Sequence, residues 1–180
     1  HIWIVSRVGG VFRLKIPKSW SRGFPDKPDL SSEVVFEPVR FSMSSQAKSG
    51  NFEEFRTLLH AQNGEIWMGT SQQLYLIDAQ SLLATPIPNQ PLLLQHWNLI
   101  QQPTGEIWGA CSDHIFRYQK GVFTTLPLIS AAYGEGDTYP VLTFGKSGEL
   151  WLLYEKSLWK IPKDGALTLR APDCRIDRLG

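Results

Sequence analysis

Three stretches of this chain decide its fold. They are Gly64-Glu65-Ile66-Trp67 with Leu74-Tyr75 behind it, Gly105-Glu106-Ile107-Trp108 with Ile115-Phe116, and Gly148-Glu149-Leu150-Trp151 with Leu158-Trp159. They align without gaps, and in each an aromatic residue preceded by a branched aliphatic one stands eight positions after the Trp. A looser copy opens the chain, where Ile2-Trp3-Ile4-Val5 leads to Gly9-Gly10-Val11-Phe12 and the same distance is nine. One extra residue in a hairpin loop accounts for the difference. Self-similarity of this kind governs every later assignment, because a missed repeat misplaces the whole fold.

Trp67 and Trp108 stand 41 residues apart, Trp108 and Trp151 43 apart, and Trp3 and Trp67 64 apart. A period of about 42 suits both four-stranded propeller blades and paired-helix repeats. Turn signals choose between them. Asn63-Gly64, Thr104-Gly105 and Ser147-Gly148 precede each Trp, and Lys120-Gly121 and Asp164-Gly165 follow the aromatic strand. Breakers so closely spaced leave room for strands of about four to six residues but not for helices.

The second period reads as strands over 98–101, 106–110, 115–118 and 122–126, and the third as strands over 142–144, 150–154, 158–161 and 166–169. Inner strands such as Leu74-Tyr75-Leu76-Ile77 are apolar on both faces, so each sheet must be covered on both sides. Radially stacked blades satisfy that, with only the outermost strand facing water. Ala166-Leu167-Thr168-Leu169 alternates as an outermost strand should. The expected fold is all-β: a β-propeller segment of about four blades, each a four-stranded antiparallel sheet, within a larger propeller. Its parts are a partial blade over 1–54 with an insertion near 17–50, then blades over about 55–95, 96–138 and 139–180. The insertion holds Pro17, Pro25, Pro28 and Pro38 with Ser-rich patches, and is expected to be largely loop. The repeated Trp is expected to pack between blades, and the repeated Gly to hold positive φ in the hairpin between the first and second strands.

Composition sets the outer bounds. The 180 residues are 42% apolar and 19% charged with a net charge of +1, an ordinary globular balance that excludes a disordered or collagen-like chain. No cluster of Lys and Arg offers the footprint of a nucleic-acid binder. The longest apolar runs are about five residues against the roughly 18 needed to span a bilayer, so no membrane contact is expected of this segment. Cys111 and Cys174 fit either two free thiols or one disulfide. The chain opens with His1 inside an apolar stretch, and its length holds little more than four periods. A processed or partial chain is therefore expected, one that exposes apolar blade faces at both ends and is oligomeric or poorly soluble by itself.

Chemistry-bearing motifs are absent from the sequence: there is no Gly-x-Ser-x-Gly, His-Glu-x-x-His, P-loop or dinucleotide pattern. The histidines His1, His60, His96 and His114 have no ligand-like spacing. No catalytic residue, metal or cofactor is expected. Repeat symmetry does suggest a binding rim, because the loops joining second to third strands emerge on one face of the disc together with the connections between blades. The candidates are Arg7, Gln72, Asp113, His114, Glu155 and Lys156 from the hairpins, and Tyr133, Glu135, Asp137 and Tyr139 from one inter-blade connection.

The stretch Gly64-Glu65-Ile66-Trp67-Met68-Gly69-Thr70, continued by Leu74-Tyr75-Leu76-Ile77-Asp78, resembles the two-component regulator propeller repeat, roughly Gly-x-(Leu/Ile)-Trp-(Ile/Phe)-Gly-Thr-x-x-Gly-Leu-Tyr-Arg-Tyr-Asp. His114-Ile115-Phe116-Arg117-Tyr118 keeps its second half, Gly109-Ala110 replaces Gly-Thr, Leu152-Leu153 loses both small residues, and the Gly before the aliphatic-aromatic pair survives as Gly10. The resemblance implies the periplasmic, ligand-sensing part of a bacterial membrane receptor with a histidine kinase or diguanylate cyclase output elsewhere. It implies no catalytic residue. The partners it admits are a small-molecule or glycan ligand, other blades or sensor subunits of the same receptor, and a second copy in a homodimer. Similar blades occur in streptogramin lyases, so a rival reading is a propeller enzyme using His96, His114 and Glu135 or Asp137. A third is a protein-interaction scaffold.

Overall fold

The computed structural model describes residues 2–7, 10–15, 35–42, 54–91, 98–111, 114–127, 140–154 and 157–161. Among them the chain runs as fifteen short strands and no helix. β1 (Ile2–Ser6), β2 (Gly10–Lys15) and β3 (Val35–Pro38) form the first sheet in that order. The second sheet joins β4 (Arg40–Phe41), β8 (Leu83–Pro86), β7 (Leu74–Asp78), β6 (Ile66–Thr70) and β5 (Phe55–His60), in that order. β9 (Asn98–Gln101), β10 (Ile107–Ala110), β11 (His114–Gln119) and β12 (Val122–Pro127) form the third, and β13 (Val141–Phe144), β14 (Leu150–Tyr154) and β15 (Ser157–Ile161) the fourth. The third sheet matches the expected four-stranded meander strand for strand. The expected strand over 166–169 lies outside the described residues.

The same turn opens each inner hairpin. Gly64, Gly105 and Gly148 hold φ of 86°, 94° and 82°. Their amides donate to the carbonyls of Ala61, Gln102 and Gly145, and those three residues in turn donate to the carbonyls of Glu65, Glu106 and Glu149 at 2.8 Å. Positive φ is cheap only without a Cβ, which is why the Gly recurs. The first hairpin also behaves as expected: Trp3 pairs with Arg13, ten residues on, whereas Trp67 pairs with Leu76, Trp108 with Arg117 and Trp151 with Lys160, each nine on.

Trp3, Trp67 and Trp108 pack between sheets. Three apolar cores each span one pair of neighbours. Val11, Val39, Ile66, Met68, Tyr75 and Ala84 join the first sheet to the second, with Trp3 against them. Trp67, Leu99, Ile107 and Phe116 join the second to the third, and Trp108, Ile115, Leu150, Leu152 and Ile161 the third to the fourth. Every residue of β6 and β10 is buried, the two-faced burial that their apolar runs require. Cys111 is buried in the middle core; Cys174 lies outside the described residues.

Of the 17–50 stretch, expected to be largely loop, residues 35–42 are described. Its residues 35–41 are strand on either side of Val39, and they leave the first sheet for the second. The Val39 amide donates to the Val11 carbonyl; then β4 runs parallel to β8, with the Arg40 and Ser42 amides on the carbonyls of Leu82 and Ala84 at 2.8 and 2.9 Å. The open edge of β8 is thereby covered, which an unpaired row of amides and carbonyls favours. β4 thereby becomes the outermost strand of the second sheet, with Arg40 exposed and Phe41 half-buried.

Candidate functional site

Antiparallel order puts the hairpins β1–β2, β6–β7, β10–β11 and β14–β15 at one end of the sheets, and β5–β6, β9–β10, β11–β12 and β13–β14 at the other. The first end is the rim read from the sequence. Of its ten candidates, Asp113, Tyr133, Glu135, Asp137, Tyr139, Glu155 and Lys156 lie outside the described residues; Arg7, Gln72 and His114 lie within them.

Arg7 bonds the Glu54 carboxylate at 3.2 Å, and Arg56 forms an ion pair with the same group. The Glu54 backbone in turn exchanges bonds with Ser71, accepting from its amide at 2.8 Å and donating to its Oγ at 3.1 Å. Buried Thr70 shapes the next turn: its Oγ1 donates to the Gln73 carbonyl and accepts from the amides of Gln72 and Gln73. A hydroxyl that replaces backbone partners in this way explains why Thr ends β6. Glu54 therefore ties the hairpin carrying Arg7 to the one carrying Gln72. His114 starts β11 half-buried, with its carbonyl accepting from Cys111, and no described contact joins it to the other two.

The opposite end holds a cleft that the sequence reading missed. It measures about 320 Å³ and lies between the second and third sheets, lined by Asn63, Glu65, Thr104, Glu106, Tyr118 and Lys120 among others. Tyr118 is its aromatic lining residue. Tyr118 stands edge-on to Trp67 and tilted against Phe123, both at 4.8 Å between ring centroids. Glu65 Oε2 accepts the Trp67 indole N–H at 3.0 Å. Glu106, at the same repeat position in the third sheet, behaves differently: it lines the cleft and its carboxylate has no partner among the described residues, where Trp108 Nε1 is likewise buried without an acceptor. Lys120 also lines the cleft, and has no ion-pair partner among the described residues. The signal for this site was in the repeat: the second residue of Gly-Glu-Ile-Trp is an acid in three sheets, and only one of those in the cleft is held by its Trp. Among the described residues no group of three or more His, Cys, Asp and Glu is placed to hold a metal ion.

No family model and no curated protein matches this chain. Solved structures do. The extracellular domain of the hybrid two-component system BT4673 of B. thetaiotaomicron aligns over 95% of this chain and 22% of its own, at TM-score 0.63 and 15% identity. The corresponding domain of BT3049 from the same organism aligns over 94% and 21%, at 0.61 and 15%. Virginiamycin B lyase of Staphylococcus aureus aligns over 95% of this chain and 55% of its own, at 0.56 and 17%. At these identities the likeness establishes the fold: this chain is a β-propeller segment, the class that its four stacked sheets define. It spans about half the length of the lyase and about a fifth of each sensor domain.

Proposed function

We propose that this chain is a noncatalytic, ligand-binding propeller segment from the periplasmic sensor part of a bacterial signalling receptor. The observation that carries the reading is the cleft between the second and third sheets. The Glu106 carboxylate and the Lys120 ammonium, unpaired among the described residues, make with the Tyr118 ring the mixed lining of a site for a small polar ligand such as a metabolite or glycan. Its walls belong to two different blades, so occupancy would bear on how those blades sit together, as a sensor needs. The similarity to extracellular domains of two-component systems and the repeat pattern support the same reading.

Thermal shift against metabolite and glycan libraries tests it. A ligand should raise the melting temperature of the chain, and Glu106→Ala and Lys120→Ala should each reduce that shift while leaving the unliganded melting temperature in place. Shifts equal in both variants would remove the cleft from the site, and no shift with any compound would favour a protein-interaction scaffold. The likeness to virginiamycin B lyase supports a second reading, a propeller enzyme with His114 on the opposite rim. Turnover lost in a folded His114→Ala variant would establish it.

A further inference from the structure

We infer that the cleft between the second and third sheets takes a small zwitterion of the α-amino acid class. The inference rests on the reading of this cleft as a ligand site and names the charge pattern of the ligand. Glu65, Glu106 and Glu149 hold the same repeat position in three sheets, and two of them are engaged within their own sheet. Glu65 accepts the Trp67 indole N–H at 3.0 Å, and Glu149 accepts the Ser147 hydroxyl at 2.6 Å. Thr104 stands where Ser147 stands, yet the Glu106 carboxylate has no partner among the described residues. The cations show the same contrast. Arg13 and Lys15 are ion-paired with Glu37, and Arg7 and Arg56 with Glu54. Lys120 has no ion-pair partner among the described residues, although it and Glu106 stand on neighbouring turns of one sheet and line the same cleft.

A ligand entering the cleft displaces water from both groups. A neutral molecule or a single ion leaves at least one of them short of water and without a counter-charge, which is costly. An α-amino acid supplies an ammonium for Glu106 and a carboxylate for Lys120 together, each through charge-assisted hydrogen bonds. The half-buried Tyr118 ring, in the same lining, offers its side chain an apolar contact. The two walls are also tied to each other. The Gln101 carboxamide spans the sheets: its Oε1 accepts from the Gln62 amide of the second at 2.6 Å, and its Nε2 donates to the Gly105 carbonyl of the third at 3.2 Å. Gly105 and Asn63, the neighbour of Gln62, both line the cleft, and a Cβ at Gly105 or Gly121 would meet nothing within 4 Å. Walls held in advance in this way cost less to order on binding.

Calorimetric titration of the whole chain with free L-amino acids, their N-acetyl and methyl-ester derivatives, and neutral disaccharides tests this. At least one amino acid should bind, and its N-acetyl and ester forms, each lacking one charge, should bind at least about tenfold more weakly. Lys120→Met should lower the affinity for the free amino acid toward that of its ester and leave the ester's own affinity unchanged. Glu106→Gln should do the same with the N-acetyl form. Amino acids bound no better than their one-charge derivatives overturn the zwitterion. So does a neutral disaccharide that binds where every amino acid fails; if Thr104→Trp, a bulky side chain in the cleft lining, blocks that sugar, the cleft stays a ligand site with another occupant. Amino-acid binding that neither charge variant weakens overturns the assignment to this cleft. No binding by any amino acid overturns the inference alone, and the ligand-site reading falls with it only when the wider metabolite and glycan libraries also give no shift.

Discussion

The Trp67 indole meets the Tyr118 ring edge-on, 4.8 Å between centroids, across the boundary between the second and third sheets. One side chain comes from the repeated Gly-Glu-Ile-Trp, and the other from the strand that follows the next copy of it. Their contact joins two blades, and Tyr118 also lines the cleft, so one side chain serves both packing and candidate binding.

Trp67 is wholly buried in the middle core. Trp67→Ala should cost about 3–5 kcal/mol in chemical denaturation, through lost burial and the cavity left behind. Val122→Ala, at a residue 63% exposed, should stay within about 0.5 kcal/mol of the parent. Equal effects would mean that the Trp is not a junction residue.

Glu65 is the acceptor of the buried Trp67 N–H. Glu65→Ala leaves that donor unsatisfied and should destabilise by about 1–3 kcal/mol, with Glu65→Gln recovering most of it through its amide oxygen. Glu106→Ala removes no such bond and should leave stability unchanged. The comparison reads out which acid is structural and which is available to a ligand.

Gly109 and Gly105 resist substitution for different reasons. A Cβ at 109 would run into the buried ring of Phe116, an overpacking worth about 1–3 kcal/mol in Gly109→Ala. A Cβ at 105 meets open space, but φ of 94° costs about 1–2 kcal/mol in Gly105→Ala. Asn tolerates positive φ, so Gly105→Asn should recover part of the loss, while Gly109→Asn should be worse than the alanine variant.

Glu37 is held below the usual glutamate range by hydrogen bonds from Lys15 and Arg13. Glu149 is held below it by the Ser147 hydroxyl. Asp78 is lowered by the Ser81 and Gln80 amides that cap its turn. A carboxyl whose folded value lies below its unfolded one contributes stability above the unfolded value and loses it as the pH falls through the folded one. The denaturation midpoint should therefore hold above the ordinary glutamate value of 4.5 and fall below it, and Glu37→Gln should flatten part of that slope.

Much of the fold was legible in the chain because its signals are local. A Gly forced to positive φ, a Trp three residues later and an aliphatic-aromatic pair each act within one hairpin, and repetition multiplies a weak pattern into a firm one. The strap at Val39 to Ser42 was not legible. Its pairing with Leu82 and Ala84 joins residues about forty apart whose prolines and serines read locally as loop. The cleft stayed hidden for a similar reason, since symmetry places Glu65 and Glu106 in equivalent roles.

By itself, the sequence determined the all-β class, the stacked-blade arrangement, the Gly-turned hairpins and the burial of Trp67 and Trp108, because hairpin register and two-faced apolar strands follow from neighbours in the chain. Only the tertiary structure decided which sheet claims residues 40 and 41, and which acid is bound to its Trp and which is left facing the cleft. Those outcomes depend on contacts between blades, where residues far apart in sequence compete for the same partner.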